Sequence, residues 1–403
     1  MKIKLIYIGL CIVLLSWIIP ALFQIATDSV SRYPFTYYSS VIHKFCFLDM
    51  ENNQVRGRDT DGNIYSDKEF DRVLPLFYYR QLAMDKALPD SIEGVAIDIP
   101  TISRNTFFFR YRPKDIHTPI IALYPMFESF SGKVNIENPD DMFRLKNRIE
   151  FIDMKSNRVN KEKSDHFQQA LEKNGFVFPA RWVSGIPSNR KNYDEGYFVL
   201  DHQNHLFHIK MVNGKPFVKD TKAGDSMQVL AMLPIDVENR SMYGFLFDTN
   251  HNFYYLSTDQ YRLVKVLEDV NPQQDRISIM ANPLYWNVVK ETKEGESVYA
   301  LRNQTMEQVD HLFRPATLST WDKIHSYLFP FTIQFQQSDS AYIYPRFSTY
   351  HFEALGLNII LAALLLAGYR KRISKWKYGY AGIVLVTGIA GFITITLFNN
   401  EKE

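Results

Sequence analysis

The sequence has only two cysteines, Cys11 and Cys46, and Cys11 lies within an apolar run. The other cysteine has no partner in the polar part of the chain, so we expect no structural disulfide. A net charge of +2 provides neither a basic surface for nucleic acid nor an acidic tail. The sequence also lacks a phosphate-binding glycine loop, a dinucleotide fingerprint and a Gly-x-Ser-x-Gly turn. We therefore predict no nucleic acid partner, no cofactor and no serine hydrolase.

Long apolar runs are present at both ends of the chain. Residues 5–26 carry no charge and match the roughly 20 residues that a bilayer-spanning helix needs. Residues 352–369 and 380–398 form two more such runs, separated by the basic loop "RKRISKWKYG". Because basic loops stay in the cytoplasm, this loop and the start of the chain are predicted to be cytoplasmic. We favour an uncleaved first helix over a cleaved signal peptide.

These runs divide the chain into predicted segments. The large segment lies outside the cytoplasm, and an aromatic stretch before the second run is typical of a membrane interface. The segments are a transmembrane anchor (1–26), an extracytoplasmic β-rich repeat domain (27–320), an aromatic membrane-proximal segment (321–351), two transmembrane helices (352–398) with a basic cytoplasmic loop (370–377), and an extracytoplasmic tail (399–403).

A short phrase occurs twice in the polar segment. "FLDMENNQV" (47–55) and "FIDMKSNRV" (151–159) share Phe, Asp, Met, Asn and Val at the same offsets. "FVLDHQNHLFHIK" and "FLFDTNHNFYYLS" contain a related pattern of apolar run, Asp, polar turn and second apolar run. The copies are marked by Asp49, Asp153, Asp201 and Asp248, with Asp98 as a weaker copy, and recur at about 50 residues, which is typical of β-propeller blades.

The sequence therefore predicts a mainly β extracytoplasmic domain, a β-propeller-like fold of five to seven blades with inserted helices, together with three transmembrane α-helices. A β-sandwich with hairpin insertions is the alternative, because turn chemistry alone can make two hairpins similar. We expect helices at residues 66–86, kinked at Pro75, and at 164–174, ending at Gly175. Asn138-Pro139-Asp140-Asp141 is typical of a helix start.

Few residues are candidates for a functional site. "DHQNHLFHIK" brings together His202, His205 and His208, but a metal site needs three or four ligands and nothing nearby completes the set, so surface histidines of a hairpin are favoured. Glu128 lies beside two serines without an identifiable partner histidine. "GRDTDGNIYSDKE" fits a plain Asp-Gly turn better than a calcium loop, because Lys68 occupies the last ligand position. We retain these three histidines and Glu128 as ligand-binding candidates, and we predict no catalytic or metal-binding residue.

Several phrases of the polar segment resemble an uncharacterised inner-membrane protein family from the Bacteroides group. These phrases are "LPLFYYRQL", "LYPMFESFSG", "KSDHFQQALEKNGFVFPARW" and "YDEGYFVLDHQNHLFHIK". The resemblance implies a domain of unknown function, a location in the bacterial inner membrane with a periplasmic domain, and an association with ABC-transporter genes. It implies no catalytic residues.

Three functions remain open. The first is a non-enzymatic accessory subunit of an ABC-type transport complex, because a large domain without a catalytic constellation is joined to helices too few to transport alone. Its partners would be the lipid bilayer and the transporter subunits. The alternatives are an envelope enzyme, such as a hydrolase or lyase, and an envelope sensor or scaffold.

Overall fold

The computed structural model describes residues 2–27, 33–51, 54–335, 339–368 and 376–399. The chain divides into two compact units. One unit is Pro34–Arg314 and is mostly β. The other contains the N-terminal helix and the segments that follow Arg314. It begins with the apolar helix α1 (Lys2–Thr27), which agrees with the run predicted at residues 5–26.

The β unit is built from antiparallel sheets of four or five strands, most of them formed by strands that are consecutive in sequence. Sheet I is the first of these. It contains β1 (Thr36–Tyr38), β2 (Phe45–Glu51), β3 (Gln54–Asp59) and β4 (Ile64–Tyr65).

The segment after sheet I contains three short helices and three strands. Their bounds are α2 (Asp67–Val73), α3 (Tyr79–Met84), β5 (Ser91–Ile92), β6 (Val95–Ala96), α4 (Ile99–Asn105) and β7 (Phe107–Tyr111). The helix predicted at 66–86 is thus two helices separated around Pro75, and Ser66 with Glu69 forms the expected capping box. Strand β7 pairs with a strand of the last sheet, far along the chain.

Sheets II, III and IV follow one another. Sheet II contains β8 (Tyr124–Pro125), β9 (Asp141–Leu145), β10 (Ile149–Asp153) and β11 (Arg158–Asn160), and α5 (Lys161–Lys173) follows it. Sheet III contains β12 (Trp182–Gly185), β13 (Tyr197–Leu200), β14 (Leu206–Val212) and β15 (Lys215–Asp220). Sheet IV contains β16 (Val229–Pro234), β17 (Met242–Asp248), β18 (Phe253–Ser257) and β19 (Leu263–Leu267).

Sheet V adds four further strands to β7. They are β20 (Arg276–Ala281), β21 (Tyr285–Glu291), β22 (Gly295–Arg302) and β23 (Gln308–Pro315). In β20 every second side chain is buried, including Ile277 and Ile279, as expected of a strand with one face in a core.

Shared hydrophobic clusters show which sheets pack together. One cluster joins sheets II and III, and others join III to IV, IV to V and V to I. Sheets that follow each other from II to V are therefore packed neighbours, and the last sheet packs on the first. The sequence-based prediction of a mainly β domain is confirmed at this level.

Two local predictions are wrong, and a third needs an adjusted boundary. Asp98 caps α4 by accepting the N–H of Thr101 at 2.6 Å and so marks no hairpin. The Asn-Pro-Asp-Asp phrase starts strand β9 instead of a helix, because Asp141 forms an ion pair with Lys163 at 2.8 Å. The helix expected at 164–174 is present and ends at Lys173, but it begins three residues earlier than predicted, at Lys161, where Asn160 accepts the N–H of Lys163.

Among its described residues, the second unit has three α-helices after Arg314. They are α6 (Thr320–Leu328), α7 (Leu355–Gly368) and α8 (Lys377–Asn399), with a short hairpin of β24 (Ile333–Gln334) and β25 (Arg346–Phe347). Two helical stretches, Ile3–Thr27 and Lys377–Phe398, are long and apolar enough to cross a membrane, and Phe352–Gly368 is shorter. Of the basic loop predicted at 370–377, residues 370–375 lie outside the described residues, as does most of the tail predicted at 399–403.

Candidate functional site

Buried aspartates organise three turns of the β unit. Asp248 is 1% exposed at the end of β17. Its Oδ1 accepts the N–H groups of Asn250 and Asn252 at 2.9 and 2.7 Å, and its Oδ2 accepts the Asn252 amide at 2.8 Å. The carboxylate therefore satisfies the polar groups of the turn that follows it.

Asp59 forms the same arrangement. It accepts the N–H groups of Asp61 and Asn63 at 3.0 Å, the Asn63 side-chain amide at 2.8 Å and the Tyr65 hydroxyl at 2.7 Å. The sequences "DTDGNIY" and "DTNHNFY" are thus true structural equivalents. Asp49, by contrast, lies inside β2 opposite Arg56, so its assignment as a turn residue is wrong.

Asp201 uses this turn to hold one of the candidate histidines. It accepts the N–H groups of Gln203 and His205 at 2.8 Å, and its Oδ2 lies 3.2 Å from Nδ1 of His205. His202 is exposed, and its N–H donates to the carbonyl of Val177 at 2.9 Å. These two histidines are therefore parts of a turn.

His208 is the one fully buried member of the predicted histidine group. Its Nδ1 lies 2.9 Å from the Tyr261 hydroxyl, and its Nε2 donates to the carbonyl of Glu195. Burial lowers the pKa of His208 to about 4, so the ring is neutral at neutral pH. Because both nitrogens have partners, neither has a free lone pair for a metal ion.

Glu128 fastens a neighbouring hairpin. Its carboxylate accepts the N–H groups of Asn213 and Gly214 at 2.8 and 2.9 Å, in the turn between β14 and β15. Both turn residues have positive φ, 51° and 71°, which is the conformation that a two-residue hairpin turn requires. Glu128 is thus a structural contact of sheet III.

A different set of side chains forms the most distinctive polar surface, which we call the Tyr193 patch. Its members are Phe130, Tyr193, Glu195, Lys210 and Arg240. Lys210 Nζ donates to the Tyr193 hydroxyl at 2.8 Å and to Glu195 at 3.1 Å, and Arg240 donates to the other Glu195 oxygen at 2.9 Å. One carboxylate therefore holds two cations.

Aromatic contacts complete the patch. The Arg240 guanidinium carbon lies 3.7 Å from the centre of the Tyr193 ring, close enough for a cation–π interaction. The Phe130 ring meets the same tyrosine at 4.9 Å, edge to face. Phe130 is 57% exposed and the Arg240 side chain 54%, so one aromatic ring and one guanidinium face solvent.

The surroundings of the patch favour the charged forms of its two cations. Burial works against the charge of Lys210, but the hydrogen bond to Tyr193 and the charge of Glu195 outweigh it and raise the pKa of Lys210. The pKa of Arg240 is raised in the same way. Both cations therefore keep their charge near neutral pH, next to the rings of Tyr193 and Phe130.

A rigid layer of rings lies behind the patch. Phe198 stacks on the buried His208 with ring centres 4.5 Å apart and planes 12° apart. Tyr243 stacks on Tyr261 at 5.1 Å and meets His208 at 5.0 Å. Of the sequence candidates, His208 therefore contributes to this site, but by supporting it.

A small recess borders the patch beside Glu195 and Tyr243. Lys191 enters it and forms ion pairs with Asp194 at 2.6 Å and Asp236 at 3.5 Å. Burial raises the pKa of Asp194 although the Lys191 charge opposes this shift. Over the described ranges, no three histidine, cysteine or acidic side chains are grouped in a way that would hold a metal ion.

The sequence contained little signal for this site. Tyr193 and Glu195 lie between strands, Lys210 lies on β14, and Arg240 lies in the turn before β17. Their separation in sequence gives no local motif. The phrase "YDEGYF" contains Tyr193 and Glu195, but the sequence does not show that the fold places them next to Arg240.

Comparisons with known proteins add a family to this description. No curated protein matches the chain significantly. Solved structures that show a distant similarity include PorZ, a surface component of the type-IX secretion system of Porphyromonas gingivalis (9% identity, 71% of this chain, TM-score 0.23), and the dihydro-heme d1 dehydrogenase NirN (10% identity, 64% of this chain, TM-score 0.22). The chain spans 27% of the PorZ chain and 61% of the NirN chain, and likenesses this weak carry no argument. The family described as Domain of unknown function (DUF4857) matches residues 35–301, more than half of the chain, and the chain belongs to this family.

Proposed function

We propose that this protein is a non-enzymatic, membrane-anchored accessory subunit of an ABC-type transport complex. In this proposal the β unit lies in the periplasm of a bacterial cell, with the N-terminus in the cytoplasm, and binds a protein partner through the Tyr193 patch. The five sheets are the blades of a propeller-like arrangement, a shape that commonly presents loops for binding.

The observation that carries the proposal is the composition of the patch. Arginine and aromatic side chains are enriched at protein interfaces and at the residues that dominate binding energy. Arg240 and Phe130 are exposed, whereas Tyr193 and Lys210 beneath them are held by hydrogen bonds and ion pairs. A surface held in one conformation before binding loses less side-chain entropy when a partner docks.

Apolar side chains flank the patch along the chain. Ile120, Ile121, Leu123 and Val134 are exposed, between 46% and 85%, in the segment that contains Phe130. A contiguous apolar surface would be typical of contact with another protein, and in this proposal the partner contacts this segment as well as the patch. Apolar helices α1 and α8 support membrane anchoring by their length and composition.

The test is recovery of the full-length protein from native membranes in mild detergent, with quantification of the proteins that accompany it. We expect transporter subunits with the wild type. Arg240→Ala and Phe130→Ala should reduce their recovery about tenfold, the effect of losing one interface residue of high binding energy.

Arg144→Ala is the matched control, because Arg144 is also an exposed arginine in an ion pair, with Glu150 at 2.6 Å on sheet II. It should leave recovery unchanged. Recovery of wild type without any transporter subunit would contradict the transport assignment. Equal loss with Arg144→Ala would contradict the role of the Tyr193 patch.

A further inference from the structure

Helix α8 is interrupted in its middle, at Gly388. This residue has φ 60° and ψ −133°, far from helical values, although helix continues on both sides. A Cβ at this position would lie 2.6 Å from Asn358 Oδ1 and 3.0 Å from Pro330 Cδ. Both the positive φ and the close approach therefore require glycine.

Asn358 of α7 lies against this break. It is 0% exposed, and its Nδ2 donates to the carbonyl of Leu385 in α8 at 2.9 Å. Its Oδ1 is buried and accepts no hydrogen bond within the part of the chain that the structure describes. A buried acceptor without a donor is unfavourable, so this oxygen, directed at Gly388, points to a ligand that donates.

The backbone at the break supplies the complementary chemistry. A helical segment that starts after a break, here residues 389–399, leaves its first N–H groups without intrahelical acceptors and carries the positive end of its dipole there. These groups disfavour a cation, and the Asn358 oxygen disfavours an anion. A neutral group that both donates and accepts satisfies both sides.

We propose that the α8 break binds a neutral hydroxyl group, either a water molecule or the hydroxyl of a lipid or detergent. The hydroxyl donates to Asn358 Oδ1 and accepts from an N–H group that follows Gly388. A small recess lined in part by Ser16, Pro20, Thr387 and Ala390 lies next to the break, since Thr387 and Ile389 flank Gly388. The site belongs to the helical unit and does not depend on what the Tyr193 patch binds.

A high-resolution structure of the full chain in lipid nanodiscs tests this assignment. We expect density about 2.7–3.2 Å from Asn358 Oδ1. A compact density identifies water and an elongated one identifies a lipid or detergent hydroxyl. Well-resolved side chains with no density there would overturn the proposal, as would an ion with several oxygen ligands.

Hydrogen exchange of the same sample gives an independent measurement. Asn358→Leu should speed exchange of an amide after Gly388 about fivefold, because the hydroxyl that accepts its hydrogen bond is lost and one hydrogen bond corresponds to about this factor. Thr394→Val is the matched control, since Thr394 is equally buried and its hydroxyl donates within α8, to Ala390 at 2.8 Å. Equal exchange in wild type and Asn358→Leu would contradict the site.

Discussion

The aspartate turns allow a sharp test of what holds the β unit together, and Asp248→Asn is the most informative change. Asparagine keeps an oxygen in place of Oδ1, so the N–H groups of Asn250 and Asn252 retain their acceptor. At the other position an amide nitrogen replaces Oδ2. It then faces two donors, the Asn252 amide at 2.8 Å and the Tyr254 hydroxyl at 3.3 Å.

The expected loss follows from these contacts. A hydrogen bond to a charged acceptor contributes about 1.5–3 kcal/mol, and the longer Tyr254 contact contributes less, so the free energy of unfolding should fall by about 2–4 kcal/mol. In a domain of this size each kcal/mol moves Tm by about 2–4 °C. We therefore expect Tm to fall by about 5–15 °C.

The assay is thermal unfolding of the full chain in detergent, followed by tryptophan fluorescence. Asp259→Asn is the matched control, because Asp259 is exposed in the next turn of the same sheet, and surface changes usually remain within about 0.5 kcal/mol. An Asp248→Asn protein as stable as wild type would refute the reasoning. So would an equal loss in the control.

Two further predictions concern pH and thiol chemistry. Burial alone would raise the pKa of Asp59, but hydrogen bonds from Asn63 and Tyr65 outweigh it and lower this pKa. The stabilisation from the charged Asp59 is therefore fully present above the pKa of the unfolded protein, about 3.9, and is lost as pH falls through the lower pKa of the folded protein. The Tm difference between wild type and Asp59→Asn should shrink from pH 7 to pH 3. A Tm difference that stays constant would contradict this. Burial raises the pKa of the Cys46 thiol to about 12. In a Cys11→Ser background, a maleimide at about pH 7.5 should therefore label Cys46 only after the protein unfolds. Rapid labelling of the folded protein would show that the thiol is accessible.

The architecture was predictable where the pattern is local. Alternating apolar residues and polar turns indicated the hairpins, and uncharged runs indicated α1 and α8. The position of the turn in the first repeat could not be predicted from the similarity between "FLDMENNQV" and "FIDMKSNRV". Asp153 accepts the Ser156 N–H in a turn, whereas Asp49 lies within β2 and is paired with Arg56 of β3.

The site was less predictable, because it depends on which distant segments meet. In the sequence, the charged and aromatic residues at positions 130, 193, 210 and 240 cannot be told from ordinary surface residues. Their proximity depends on the packing of sheets III and IV. The candidate histidines were visible in sequence because they are close together. They are close in sequence because His202 and His205 belong to the Asp201 turn and His208 belongs to the buried layer of rings directly after it.

How each carboxylate is satisfied separates structural from functional polar groups here. Asp59 and Asp248 obtain every hydrogen bond described above from residues within seven positions along the chain, and both are buried. Glu195 instead holds Lys210 and Arg240 from two separate segments at a partly exposed position. The folding of a single turn does not require this long-range arrangement. The arrangement places the exposed Arg240 guanidinium against the ring of Tyr193. Because the contacts of a turn are complete within one segment, whereas the Arg240 side chain is 54% exposed, a search for the proposed partner starts at Arg240.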